Sequence, residues 1–170
     1  MTELIIMVGL PGSGKSVFVN DHIIKRGFNE GVYGYHVISR DDVRLAFGYK
    51  FSHLIETNVL AVVKTMVRAL MIRGINIVLD ETNTHISTIN MWKGLAEEYG
   101  YKTRAIVMTT PIDICKERRK VSEGEFPEDV IDRMYEQMSV LVTDVLFNDS
   151  MDKIEFYNSN GEVDSDYIRS

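Results

Sequence analysis

The segment Gly9-Leu10-Pro11-Gly12-Ser13-Gly14-Lys15-Ser16 constrains this chain more than any other stretch. It fits the pattern G-x-x-x-x-G-K-[ST], and its flanks fit as well. Before it, Leu4 to Val8 is an unbroken apolar run that reads as a buried strand. After it, Val17 to Arg26 reads as a helix, with Gly27 as its stop. Glycines at these positions let backbone N–H groups turn inward toward phosphate oxygens. The helix that begins there adds its N-terminal partial charge. With Gly at about 7% of usage, the fixed positions coincide by chance in on the order of 1% of chains this long.

The rest of the chain alternates strands with helices. Tyr35 to Ser39 reads as a short strand leading into Arg40-Asp41-Asp42-Val43-Arg44. His53 to Arg73 reads as a long helix, because Leu54, Val59, Val62, Val63, Met66, Val67, Leu70 and Met71 recur at helical spacing and Gly74 ends the pattern. Ile75 to Leu79 is a buried strand that runs into Asp80-Glu81. Thr88 to Tyr99 is a helix closed by Gly100, and Lys102 to Met108 is a strand. Ile112 to Lys120 is helical, and Ser122 to Phe126 is a polar connection. Pro127 opens a helix to about Phe147, with Glu128 and Asp129 at the positive end of its dipole. Lys153 to Tyr157 is the last strand. Continuous apolar strands alternating with helices predict an α/β fold: a mostly parallel sheet of about five strands with helices on both faces. Such sheets bind ligands at the carboxyl ends of their strands. Gly9–Ser16, then Asp41 and Arg44, then Asp80 and Glu81 all fall there.

Composition narrows the setting. The single cysteine, Cys115, allows no intrachain disulfide and no Cys-based zinc site, which suits a reducing cytosol. Met1-Thr2-Glu3-Leu4 lacks the basic start and apolar core of a signal peptide. No apolar run approaches the ~20 residues that cross a bilayer. A cytoplasmic protein without a membrane partner is expected. With 170 residues, 45% of them hydrophobic, and no linker-like stretch or repeat, one domain over residues 1–170 is expected.

The glycine-rich turn implies a nucleotide site at Gly12, Ser13, Gly14, Lys15, Ser16 and Val17. Lys15 can reach the β- and γ-phosphates, and the Ser16 hydroxyl can hold Mg²⁺. Asp80, at a neighbouring strand end, either orients the Mg²⁺ waters or caps the next turn. ATP and Mg²⁺ are the expected cofactors. The base-reading Asn-Lys-x-Asp stretch of a GTPase switch does not occur, and an extra helical domain like that of a motor ATPase does not fit in the length. A small phosphotransferase remains. It needs an acceptor base, a charge neutraliser and a lid. Asp41 can accept a proton from a hydroxyl, and Arg44, three residues on, can share its cleft. Asp41 or Asp42 also suits the N-cap of the following helix, and capping by Asp42 leaves Asp41 free. Lys116, Arg118, Arg119 and Lys120 form either a lid over the transferring group, about residues 115–128, or a helix end whose charges suit the dipole.

Together these elements resemble the kinase domain of the phage polynucleotide kinase family. The resemblance runs through Gly9–Ser16, Arg40-Asp41-Asp42-Val43-Arg44, Asp80-Glu81-Thr82-Asn83, the segment Trp92 to Lys102, and Pro127 to Tyr135, about residues 3 to 140. It implies a P-loop kinase fold with a helical lid, and transfer of the γ-phosphate of ATP to the 5′-hydroxyl end of DNA or RNA. It implies that Asp41 is the general base and that Arg44 contacts the phosphate next to the acceptor nucleotide. It also implies that Glu81 lies near the lid arginine, that Thr82 lines the acceptor site, and that Phe126 stacks on the terminal base. Two departures stand out. The family more often has Asp at position 81. Its second lid arginine falls here near Val121 or Ser122, so Arg118 matches the first and Arg119 substitutes only if the lid backbone shifts. The best-known member of the family carries a C-terminal Asp-x-Asp-x-Thr phosphatase domain that is not in this sequence, so no 3′-phosphatase activity is expected. If the chain is phage-encoded, its cytoplasm is the host's.

The same apparatus would serve a kinase of 5-hydroxymethyluracil in DNA, or a small-molecule kinase for a nucleoside, sugar or antibiotic. A nucleotide-binding regulator without phosphotransfer is a fourth reading. His22, His36 and His53 show no ligand spacing, and His85 reads as structural or solvated. The net charge of −6 first argues against a nucleic-acid partner. The charge is unevenly placed, however. Residues 1–120 carry 16 Lys and Arg against 12 Asp and Glu, and residues 121–170 carry 3 against 13. The acid is expected to be screened from the site, leaving a short footprint on a nucleic-acid end.

Overall fold

The apolar runs become the strands of one sheet. The computed structural model describes residues 2–25, 34–48, 53–122, 127–165 and 167. In it, β1 (Glu3–Val8), β2 (Tyr35–Ile38), β3 (Asn76–Leu79), β4 (Lys102–Met108) and β5 (Lys153–Tyr157) lie in the order β2-β3-β1-β4-β5, and these strands pair in parallel throughout. β1 is central, with Ile5 opposite Val78 of β3 and Arg104 of β4. The connecting helices are α1 (Lys15–Phe18, continued by a π-helical Val19–Ile24), α2 (Arg40–Ala46), α3 (His53–Ile72), α4 (Ile86–Glu98), α5 (Ile112–Ser122), α6 (Glu128–Thr143) and α7 (Val145–Ser150). This is the expected P-loop kinase fold.

Side chains alternate along β1, so its two faces feed two cores. Leu4, Ile6 and Val8 pack in one cluster with Val59 and Val63 of α3, Trp92 of α4 and Met138 of α6. Ile5 and Met7 pack in the other with Phe18 and Val19. Helices therefore cover both faces, with α1 opposite α3, α4 and α6. Leu4, Ile6 and Trp92 are wholly buried, and each large apolar side chain so removed from water contributes about 1.5–3 kcal/mol.

Four local features depart from expectation. The helix after the glycine-rich turn begins at Lys15 and widens to a π-helix from Val19. α2 is capped by Ser39, whose Oγ accepts from the Asp41 N–H at 3.1 Å. Neither Asp41 nor Asp42 is the cap, and Ser39 thereby leaves the strand. The single helix expected to reach Phe147 breaks at Asp144, whose ψ of 123° is extended. There the Thr143 hydroxyl bonds back to the Ser139 carbonyl at 3.1 Å, a local competitor of helical bonding, and Asn148 Nδ2 takes the Asp144 carbonyl at 3.0 Å. His85 caps α4 by accepting the Ser87 N–H at its Nδ1, 3.1 Å away, so that helix starts earlier than its periodicity suggests. Among the described residues no helix is long and apolar enough to cross a membrane.

Candidate active site

The ends of β1, β3 and β2 meet at one edge of the sheet and are tied together. Gly9 N–H donates to the Thr82 carbonyl, and Asp80 N–H donates to the Ile38 carbonyl, both at 2.9 Å. Asn83 adopts a left-handed φ of 46°, which its short polar side chain tolerates, and its Nδ2 donates to the Met7 carbonyl at 2.9 Å. Asn83 thus locks the turn after β3 against β1.

The glycine-rich turn closes around Lys15. Its Nζ donates to the Gly9 and Leu10 carbonyls at 3.0 and 2.8 Å. Burial pushes this ammonium down to about 8, and Asp80 and Asp41 oppose the shift. A polyanion drawn into the turn would restore the charge that burial disfavours. Gly12 and Gly14 both hold left-handed φ, 82° and 94°. A Cβ on Gly12 would stand 2.6 Å from the Cys115 carbonyl oxygen, so the backbone of α5 rests directly on the turn. Thr110 Oγ1 donates to the Ser13 carbonyl at 2.8 Å from below. From α5, Arg118 Nη1 donates to the Gly12 carbonyl at 3.2 Å, and the Arg119 stem lies over Gly12.

The basic cluster on α5 is divided. Lys116 pairs with Asp132 and Lys120 with Glu128, each at 2.6 Å. The acidic α6 is therefore in contact with two of the four cations rather than screened from them. The two arginines are the cations at the turn. Residues 123–126 of the expected lid, Phe126 among them, lie outside the described residues.

Ser16 and Asp80 share a hydrogen bond, and burial pushes the Asp80 carboxyl up, reinforced by Asp41 and Asp42. The Ser16 hydroxyl and the Asp80 carboxylate are hard oxygen donors of the kind that suits Mg²⁺ with its remaining positions filled by water and phosphate, although among the described residues no cluster of three or more Asp, Glu, His or Cys could hold a metal. Two clefts open from this point. One, of about 630 Å³, is lined by Lys15, Ser16, the largely exposed Val17, Arg118 and Asn160. The other, of about 290 Å³, is lined by Asp41, Arg44, Glu56, Asp80, Glu81 and Thr82.

The smaller cleft has its own charge order. Asp41 and Arg44 lie one helical turn apart, and Arg44 Nη1 bonds the Asp41 carboxylate. The resemblance puts Glu81 near a lid arginine. Instead Arg40 Nε lies 3.1 Å from Glu81 Oε2, because the two residues leave the adjacent strands β2 and β3, in which Ile38 stands opposite Leu79. Burial pushes the Glu81 carboxyl up to about 7, with Arg40 pulling the other way.

Sequence reasoning missed part of both clefts. Arg40 and Glu56 belong to the smaller one. In the larger one Phe18 stacks on His22, with centroids 4.6 Å apart and planes at 18°. Gly161, at φ 78°, lets the turn after β5 lie on that ring; a Cβ there would meet His22 Nε2 at 2.5 Å. Asn160-Gly161 is a turn signal, but nothing in the sequence links it to residue 22.

Residues 4–141 match the family described as the AAA domain. A protein of Acanthamoeba polyphaga mimivirus named as a bifunctional polynucleotide phosphatase/kinase is 31% identical over 173 residues, covering 95% of this chain and 35% of its own length. A protein of Autographa californica nuclear polyhedrosis virus named as a bifunctional polynucleotide kinase/RNA ligase is 24% identical over 140 residues, covering 74% of this chain and 19% of its own. A chain in the Pnkp1/Rnl/Hen1 RNA repair complex aligns with a TM-score of 0.70 at 25% identity, covering 89% of this chain and 46% of that one. The APS kinase CysC of Mycobacterium tuberculosis aligns with a TM-score of 0.58 at 20% identity, covering 71% and 69%, a likeness of fold alone. This chain spans 35% or less of the two viral relatives. The family match covers well over half of this sequence, and this chain belongs to the AAA domain family, with the P-loop kinase fold.

Proposed function

We propose that this chain is an ATP-dependent kinase that phosphorylates the 5′-hydroxyl end of DNA or RNA. The observation that carries the reading is the Asp41–Arg44 pair, lining the cleft that adjoins Asp80, next to the turn that buries Lys15. The viral relatives and the RNA-repair chain, with polynucleotide kinase or RNA repair in their names, support the choice of acceptor.

In this reading, Gly12 to Val17 hold the triphosphate with backbone N–H groups, and Lys15 turns from the loop carbonyls to its β- and γ-oxygens. Ser16 and Asp80 would hold Mg²⁺, which would supply charge neutralisation to the triphosphate. Asp41 takes the proton of the acceptor 5′-hydroxyl. The 5′ oxygen bonds to the γ-phosphorus as the bond to the bridging β–γ oxygen breaks, and ADP leaves. Arg44 holds the phosphate beside the acceptor nucleotide, Glu81 and Thr82 line the same cleft, and Phe126 stacks on the terminal base. Arg118 and Arg119 sit where charge builds on the transferring group. Because Lys116 and Lys120 are paired with Asp132 and Glu128, Arg118 and Arg119 carry the contribution of the α5 cluster, and a short footprint with a shallow salt dependence is expected.

The test is transfer of labelled γ-phosphate to 5′-hydroxyl oligonucleotides of DNA and RNA. A nucleoside and a 5′-blocked duplex containing 5-hydroxymethyluracil serve as comparison acceptors. Transfer to the 5′ end supports the proposal. No such transfer, with transfer to a comparison acceptor, overturns it.

A further inference from the structure

Glu56 stands on the first turn of α3, twelve residues and one helix away from Arg44, yet it grips that side chain with both oxygens. Oε1 accepts from Arg44 Nε, and Oε2 accepts from Nη2 at 3.3 Å. This is the fork-on-fork arrangement that fixes a guanidinium plane as well as its position. The pair is largely shielded: the Arg44 side chain is 14% exposed and that of Glu56 is 21% exposed. With Nε and Nη2 held, Nη1 is left to face Asp41, whose side chain is 81% exposed.

We propose that Glu56 is a positioning residue that holds the Arg44 guanidinium so that its Nη1 edge can pass from Asp41 to the phosphate of the acceptor. The inference rests on the reading that the acceptor carries a phosphate next to its 5′-hydroxyl nucleotide. On arrival of that phosphate, Asp41 must give up Arg44 in order to take the hydroxyl proton. Glu56 keeps the guanidinium from following Asp41 or swinging into solvent during the exchange. A carboxylate in the first turn of a helix also suits the dipole, and a purely structural Glu56 would act through that alone.

The experiment compares wild type, Glu56→Gln, Glu56→Ala, Arg44→Ala and the Glu56→Ala/Arg44→Ala double variant in the full chain. A 5′-hydroxyl nucleoside 3′-monophosphate, the plain nucleoside and ATP are each varied. The expected result is a roughly 10- to 100-fold loss of kcat/KM for the 3′-monophosphate in Glu56→Ala. The loss is smaller in Glu56→Gln, which keeps one acceptor oxygen, and the ATP KM does not move. The double variant falls no further than Arg44→Ala. An equal change in the ATP KM, losses that add in the double variant, or no loss at all overturns the inference. The Arg44 Nε–H resonance separates this from failure of the underlying reaction. A wild type that transfers nothing to any 5′-hydroxyl refutes the reaction. A slowly exchanging Nε–H signal lost in Glu56→Ala supports the hold of Glu56, and an unchanged signal overturns it.

Discussion

Replacing Arg40 by methionine tests how the smaller cleft tolerates its buried acid. The Glu81 side chain is 6% exposed, and Arg40 Nε is 3.1 Å from Oε2. Even so, burial outweighs the guanidinium and lifts the carboxyl from 4.5 to about 7. A folded-state value above the unfolded one means that the folded chain binds this proton more tightly. The group's stabilising contribution is therefore complete below about 4.5 and is lost as pH rises through 7. Removing Arg40 takes away the largest opposing influence and moves the carboxyl higher still. Each further unit costs about 1.4 kcal/mol once Glu81 must ionise, and almost nothing while it stays protonated. A broken buried pair costs roughly 3–5 kcal/mol. The expected penalty is therefore about 3 kcal/mol near pH 8.5 and about 1 kcal/mol near pH 5.5. Urea denaturation of wild type, Arg40→Met and Arg40→Met/Glu81→Gln at both pH values measures it. The double variant should lose the pH dependence. A penalty for Arg40→Met that is the same at both pH values would refute the burial argument.

Other expectations follow from single contacts. Gly161→Ala places a Cβ 2.5 Å from His22 Nε2 at a left-handed φ, so the ring leaves its stack on Phe18. Steady-state kinetics should give an ATP KM raised roughly tenfold, with the acceptor KM unchanged. If Ser16 and Asp80 hold Mg²⁺ as proposed, a Mg²⁺ titration of transfer by Asp80→Asn should half-saturate at roughly 10- to 100-fold higher concentration. Trp92→Ala empties a wholly buried position in the larger core. It should cost about 3–5 kcal/mol in urea unfolding, without altering which acceptors are used.

The parallel sheet was legible because its strands are short continuous apolar runs, a pattern that only a sheet covered on both faces accommodates. Gly74 and Gly100, both at left-handed φ near 70°, end α3 and α4 where their sequence signals stand. What the residues do locally was less legible where two neighbours offer the same chemistry. Ser39, Asp41 and Asp42 can all cap α2, and only the backbone geometry selects Ser39. The break at Asp144 carries no Gly or Pro and depends on Thr143 and Asn148 competing for carbonyls. The glycine-rich turn announces Lys15 and Ser16 by spacing. Arg40 and Glu56 become neighbours of Glu81 and Arg44 only through tertiary register, which a periodic pattern does not encode. The pairing of Lys116 and Lys120 with α6 was hidden for the same reason, and it engages two of the four cations of the α5 cluster.

The central claim is that Asp41 takes the proton of a 5′-hydroxyl while the turn at Lys15 holds the donor. The most direct test is transfer of labelled γ-phosphate from ATP to a 5′-hydroxyl oligonucleotide by wild type and by Asp41→Asn, with ATP binding measured on both proteins. The account predicts transfer by wild type, a loss of roughly 10²- to 10⁴-fold in kcat for Asp41→Asn, and an ATP affinity that is the same for both. Transfer by Asp41→Asn at the wild-type rate would contradict it.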